Sequence, residues 1–173
     1  MSAAQARAGL AAIGRDLHWL DGDGGVRRGA ALLKAVGGVR SEAGGLADLQ
    51  AAPAWLRAPR DRQRRLAHAV GLAALAPKLA SSIDGAWLGG LAKVAGEDLL
   101  DWAIERAGAL PRCDAPPTPP ERLAALGFGL LGAGLAPGLR GYLAEQGAEG
   151  GGVCPAQAVD AYLFAALQVA PLQ

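Results

Sequence analysis

Asparagine is absent from this chain of 173 residues, threonine occurs once as Thr118, and histidine and cysteine occur twice each. Each scarcity excludes something. His18, His68, Cys113 and Cys154 are far apart in sequence, and none has another His, Cys or carboxylate at metal-ligand spacing, so no metal centre is expected. Hydroxyl side chains are too few for a recognisable nucleophile and base. The glycine clusters at Gly22 and Gly150 lack the lysine and the strand-to-helix setting of a phosphate loop. Residues 21–25, DGDGG, space Asp21 and Asp23 like the first ligands of a calcium loop, but Leu32 stands where the twelfth-position Glu is required, and a turn is the better reading. The chain therefore reads as no enzyme, with no cofactor.

Aromatic residues are 5% of the chain and the formal net charge is +1. A nucleic acid would find neither stacking platforms nor an overall basic field, and none is expected as a partner. Apolar runs are also too short for a bilayer. Residues 123–139, LAALGFGLLGAGLAPGL, carry no charge but fall short of the ~20 residues a spanning helix needs, and their Gly and Ala add little transfer free energy. A buried core helix is expected there, its glycines Gly127, Gly129, Gly132 and Gly134 suited to close contact with a neighbour, and no direct membrane insertion.

What is present favours helix. Hydrophobic residues make up 51% of the chain, supplied mainly by Ala and Leu, the strongest helix formers. The 26 glycines oppose this locally and are read as helix ends or close helix contacts. At this length one core is expected. The fold class is all-α: a compact multi-helix domain with short loops. Nothing resembling a secretory signal precedes the first helical pattern, which makes a reducing cytoplasm the expected setting, with Cys113 and Cys154 as free thiols.

Residues 1–173 are read as a single helical domain in four stretches. In 1–52, Leu10, Ile13, Leu17 and Leu20 share a helical face, whereas the pattern weakens over 21–52. The first helical unit, 53–110, begins with Trp55 and Leu56 between Pro53 and Pro59. Asp61 is the expected cap of a helix starting at Arg62, with Leu66, Val70, Leu72 and Leu75 as its apolar side and Pro77 ending or bending it. Ser81, Ser82 and Asp84 are capping candidates for a helix through Trp87, Leu88, Leu91 and Val94, which Gly96 closes. A helix over 97–107 follows, with Gly108 as its C-terminal cap. Residues 111–120, PRCDAPPTPP, form a stiff connector. In the second unit, 121–173, Thr118, Pro119 and Glu121 signal a helix start by a capping box. That helix runs to about residue 135 and a shorter one covers 138–146. The last starts at Pro155 and carries Val159, Tyr162, Leu163, Ala166 and Leu167 on one face. Residues 65–79 echo 122–139, and 99–104 echo 158–163, which would make the two units related.

Two charged features stand out. Arg57, Arg60, Arg62, Arg64 and Arg65 crowd a helix start, where positive charge opposes the dipole, and the guanidinium fork suits carboxylates on a partner. Glu97, Asp98 and Asp101, followed by Glu105, gather on one later helix. Paired carboxylates can act as acid and base, which keeps an enzyme as a third reading, but a solvated face explains them more simply. The two groups are the candidate protein-binding residues.

The order of motifs over residues 55–107 resembles a family. A short WL segment, an Arg-rich helix ending in LAPKL, then Ile83-Asp84-Gly85, then AGEDLLDWAI, is similar to the cytoplasmic SctK or YscK-type accessory proteins of bacterial type III secretion systems. Asp84-Gly85 and Gly96-Glu97 are the sharpest parts. The resemblance covers about a third of the chain and implies a non-enzymatic adaptor of the sorting platform. Its implied partners are the cytoplasmic domain of the inner-membrane ring protein and the pod protein, with recruitment to the inner face of the inner membrane. The alternative is a small helical regulator or chaperone that binds another bacterial protein.

Overall fold

The computed structural model describes residues 52–136, 139, 140, 143 and 154–171. The expectations for 1–51, including the first helix and the DGDGG turn, lie outside these residues, as does most of the 138–146 helix. The described part is 73% helical, with six α-helices and no strand. They are α1 (Ala54–Arg57), α2 (Arg60–Ser81), α3 (Gly85–Ala95), α4 (Glu97–Glu105), α5 (Leu123–Ala133) and α6 (Ala156–Val169), with a 3-10 turn at Pro120–Arg122 leading into α5.

α2 is the axis of the domain, packed against α5, α4 and α6. One apolar side was expected of it, yet every residue from Leu66 to Ala76 is buried. A helix enclosed on several sides has to be apolar all round, and the alanines and Gly71 that blur its amphipathic pattern let three neighbours approach. Pro77 does not end the helix, which continues to Ser81.

The closest approach is between α2 and α5. A Cβ at Gly127 would collide with the backbone carbonyl of Ala67, and one at Gly71 would stand 3.0 Å from both the carbonyl oxygen and Cδ1 of Leu123. No side chain fits between the helices at Gly127. Gly132, also buried, is less constrained, since an added Cβ would meet only the end of the Leu143 side chain at 3.3 Å.

Several helix ends differ from expectation. Asp61 does not cap α2: the helix starts at Arg60 behind Pro59, and Asp61 lies in its first turn. Thr118 makes no capping box, because its hydroxyl donates back to the Pro116 carbonyl (3.0 Å) and Pro119 takes the N-cap position instead. α4 ends at Glu105, with Arg106 rather than Gly108 at the C-cap, and α5 ends at Ala133. Two signals hold as read. Asp84 Oδ1 accepts from the Trp87 amide at 3.0 Å and opens α3. Gly96, at φ 99°, closes it and starts α4, the one positive φ among the described residues.

The connector lies along the surface and is fastened to several elements. The Tyr162 hydroxyl donates to the Pro111 carbonyl (2.6 Å), Lys78 Nζ donates to the Ala115 carbonyl, and Trp87 Nε1 donates to the Thr118 carbonyl (2.9 Å). The Pro120 ring fills the space above Gly90, where a Cβ would come within 2.7 Å of its Cγ. The free thiols expected at Cys113 and Cys154 are not found: the two form a disulfide, their Cα atoms 5.4 Å apart. The packing of Tyr162 under Pro111 brings the start of the connector to the start of α6, and this adjacency across 41 residues has no local signal in the sequence.

Gly127→Ala should cost on the order of 1–3 kcal/mol or more, because neither backbone can yield to the methyl group, whereas Gly132→Ala should cost clearly less. Urea denaturation of the two variants tests this, and equal midpoints would contradict the packing described. Reduction of the disulfide should lower stability by about 2–4 kcal/mol through the freed loop. Melting with and without a dithiol measures that loss.

Candidate protein-binding face

The basic and acidic groups anticipated from sequence lie on neighbouring helices, α2 and α4, and the fold joins them. Arg65, from the second turn of α2, forms an ion pair and hydrogen bond with Asp98 in the first turn of α4. Their side chains are 38% and 62% exposed, so the pair contributes roughly 0–1 kcal/mol and acts mainly to fix one helix start beside the other.

The other residues divide in two. Arg57, at the end of α1, and Arg60, the first residue of α2, are already engaged within the chain. Arg62 and Arg64 are exposed and have no ion-pair partner among the described residues. Arg62 stands one turn before Arg65 and shares its face. On α4, Glu97 and Asp101 are exposed, one turn apart and likewise without an ion-pair partner among the described residues. Asp61, in the first turn of α2, partly offsets the like charges there. The outcome is a basic start of α2 set beside the acidic start of α4 and joined to it at Arg65–Asp98, with Arg62 and Arg64, two residues apart, projecting to different sides of Arg65.

Beneath this surface are two side chains that the sequence did not single out for it. Gln63 is fully buried and its Nε2 donates to the carbonyls of Leu56 (2.6 Å) and Ala58 (3.0 Å), which locks α1 against the start of α2 and sets the direction in which the arginines emerge. His68 is 8% exposed. Burial, followed by the charges of Arg64 and Arg65 one turn earlier, lowers its pKa from 6.5 to about 4, so it is neutral at physiological pH. A buried neutral imidazole beneath Arg64 and Arg65 adds no charge of its own there.

The carboxylates of α4 face solvent, and among the described residues no three His, Cys, Asp or Glu side chains come together as a metal site. No helix among the described residues is long and apolar enough to cross a membrane. Among the described residues three large apolar side chains are exposed: Ile83 completely, Phe164 largely and Val94 by 42%. Ile83 sits in the short link between α2 and α3, a position with no periodicity from which its exposure could be read.

His68 gives the domain a defined pH response. The unfolded chain takes up a proton near pH 6.5 and the folded one only near pH 4, so this contribution is constant above pH 6.5. It is lost as pH falls from 6.5 to about 4 and reaches at most about 3 kcal/mol. His68→Gln should remove that segment of the stability profile while leaving the carboxylate titrations, and superimposable profiles for the two proteins would contradict it. No family model matches this chain, and comparison with curated proteins and with solved structures likewise found no match.

Proposed function

We propose that this chain is a non-enzymatic adaptor of a type III secretion sorting platform, linking the cytoplasmic domain of the inner-membrane ring protein to the pod protein. The observation that carries the binding role is the meeting of a basic and an acidic helix start at Arg65–Asp98. Arg62, Arg64, Glu97 and Asp101 project to solvent from two helices that pack together and are linked at the surface by Arg65–Asp98, with buried Gln63 fixing the start of α2. Such a surface suits a protein with charges of both signs, because interfacial charge fixes register and speeds encounter. The assignment to this system comes from the motif order over residues 55–107. Two of its sharpest parts have structural work in this fold: Asp84 caps α3, and Gly96 makes the turn between α3 and α4. The adaptor acts in the cytoplasm, at the inner face of the inner membrane. Neither a cofactor nor a metal takes part in this role.

Because Arg65 is committed to Asp98, the informative change is the double variant Arg62→Glu, Arg64→Glu, which alters two exposed side chains and leaves the helix pairing intact. Binding to the ring protein's cytoplasmic domain and to the pod protein should weaken about tenfold or more toward at least one of them. The on-rate should fall most, and the difference should shrink as salt is raised. Equal affinity of a folded variant for both partners would remove the charged face from the adaptor. Failure of the unaltered protein to bind either would instead favour a regulator or chaperone of another bacterial protein.

A further inference from the structure

We propose that the Cys113–Cys154 pair is a reversible dithiol–disulfide site, and that opening it releases the start of α6 while the connector and the core stay in place. The two sides of the bond are held very unevenly. On the connector side, contacts that involve no sulfur lie close around Cys113. The Pro111 carbonyl accepts from Tyr162 (2.6 Å), the Ala115 carbonyl accepts from Lys78, the Thr118 carbonyl accepts from Trp87 (2.9 Å), and the Pro120 ring sits above Gly90. Loss of the bond leaves all four.

On the α6 side the bond holds the helix start with little help. Pro155, Ala156 and Gln157 are exposed, and no side chain caps the helix behind Pro155. Among the described residues, the first hydrogen bond from α6 to another element is that of the Tyr162 hydroxyl, well over one turn into the helix. A helix start without a cap frays unless something else fastens it, and here that is the bond at Cys154. Its release would bare Ala158 and Val159, which are buried in the closed state. Both cysteines are half-buried, and Arg112, Asp114 and Pro155 beside them are exposed, so a thiol reaches the bond at the surface without entering the core.

The reductant is a dithiol, either a small molecule or a pair of cysteines on a protein. One of its thiolates attacks a sulfur of the pair and forms a mixed disulfide, and the other cysteine leaves as a thiolate and takes up a proton. The second thiol of the reductant, giving up its proton, attacks the mixed disulfide, closes the reductant's own disulfide and frees the remaining cysteine. Two electrons and two protons pass to the chain, and the dithiol is oxidised.

The test uses the full-length chain in native buffer, with dithiothreitol as the reductant and oxidised glutathione as the oxidant. Maleimide labelling counts free thiols, and amide hydrogen exchange is followed in both states. Two thiols should appear without denaturant and disappear on reoxidation. In the reduced chain the amides of residues 158–161 should exchange within about tenfold of open-chain rates, whereas those of residues 66–76 in α2 stay slowed by about a thousandfold or more. The double variant Cys113→Ser, Cys154→Ser should show the reduced pattern and ignore dithiothreitol. Thiols that appear only in denaturant would overturn the proposal, as would a bond that does not re-form. So would residues 158–161 exchanging alike in both states, or α2 losing its protection together with α6. No partner protein takes part, so the outcome stands apart from the adaptor reading.

Discussion

The α2–α5 crossing is the constraint on which the rest of the domain depends. At Gly127 the α5 backbone rests on the Ala67 carbonyl with no room for a side chain, and one turn further along α2 the Leu123 carbonyl comes within 3.0 Å of where a Cβ at Gly71 would stand. Two helices this near exclude water from the backbone between them and gain dispersion contacts along their length. Glycine is unfavourable in a helix, and α5 has three in eleven residues, Gly127, Gly129 and Gly132. The cost is offset because α5 gains stability from its fit against α2 and little from its own propensity. Once this pair is set, α4 and α6 occupy the remaining flanks of α2, and its middle turns lose contact with solvent.

The shortage of capping side chains has a structural counterpart. With no asparagine, one threonine and few serines, side-chain caps are scarce, and among the described helices Asp84 is the one N-cap whose side chain accepts from its helix. Gly96 stands at the position before α4 and Arg122 before α5, and proline takes it at α1, α2, the 3-10 turn and α6. Pro53, Pro59, Pro119 and Pro155 all stand at N-caps with φ between −64° and −52° and ψ between 144° and 152°. A ring that fixes φ holds the chain extended just ahead of the first helical residue, so the turn begins in a defined direction without a side-chain acceptor. This explains why Asp84 was legible as a cap and Asp61 and Thr118 misled. In both latter cases a nearby proline set the boundary, and the oxygen-bearing side chain fell on the wrong side of it.

Long-range fastening was the part least legible in sequence. The proline content of residues 111–120 shows an extended connector but carries no information about what it lies against. Its contacts come from Lys78 on α2, Trp87 and Gly90 on α3, and Tyr162 and Cys154 at α6, and its hydrogen bonds to Trp87, Lys78 and Tyr162 reach across 31, 37 and 51 residues. No periodicity encodes such pairs. The expectation of free thiols came from the presumed compartment, and the geometry of two chain segments meeting at Tyr162 decided otherwise. In a reducing cytosol the bond would open to two thiols, and the connector would keep its hydrogen bonds to Lys78, Trp87 and Tyr162 and the seat of Pro120 on Gly90.

The charged face was legible for the opposite reason, since it consists of local runs. The arginines of the first turns of α2 and the acids of α4 are visible as groups in the sequence; their adjacency is not, because it is set by the packing of α4 against α2, to which the salt bridge between residues 33 apart adds only a surface contact. The burial of α2 then confines where recognition can occur. From Leu66 to Ala76 the helix is committed to the core, so its one extended charged exposure is the first turn and a half, where Gln63 anchors it from below. A surface placed at the end of a central, well-packed helix inherits that helix's rigidity. Its arginines are presented from a fixed backbone with little of that helix left to reorder on binding, which favours charge pattern and register over induced fit as the basis of selectivity.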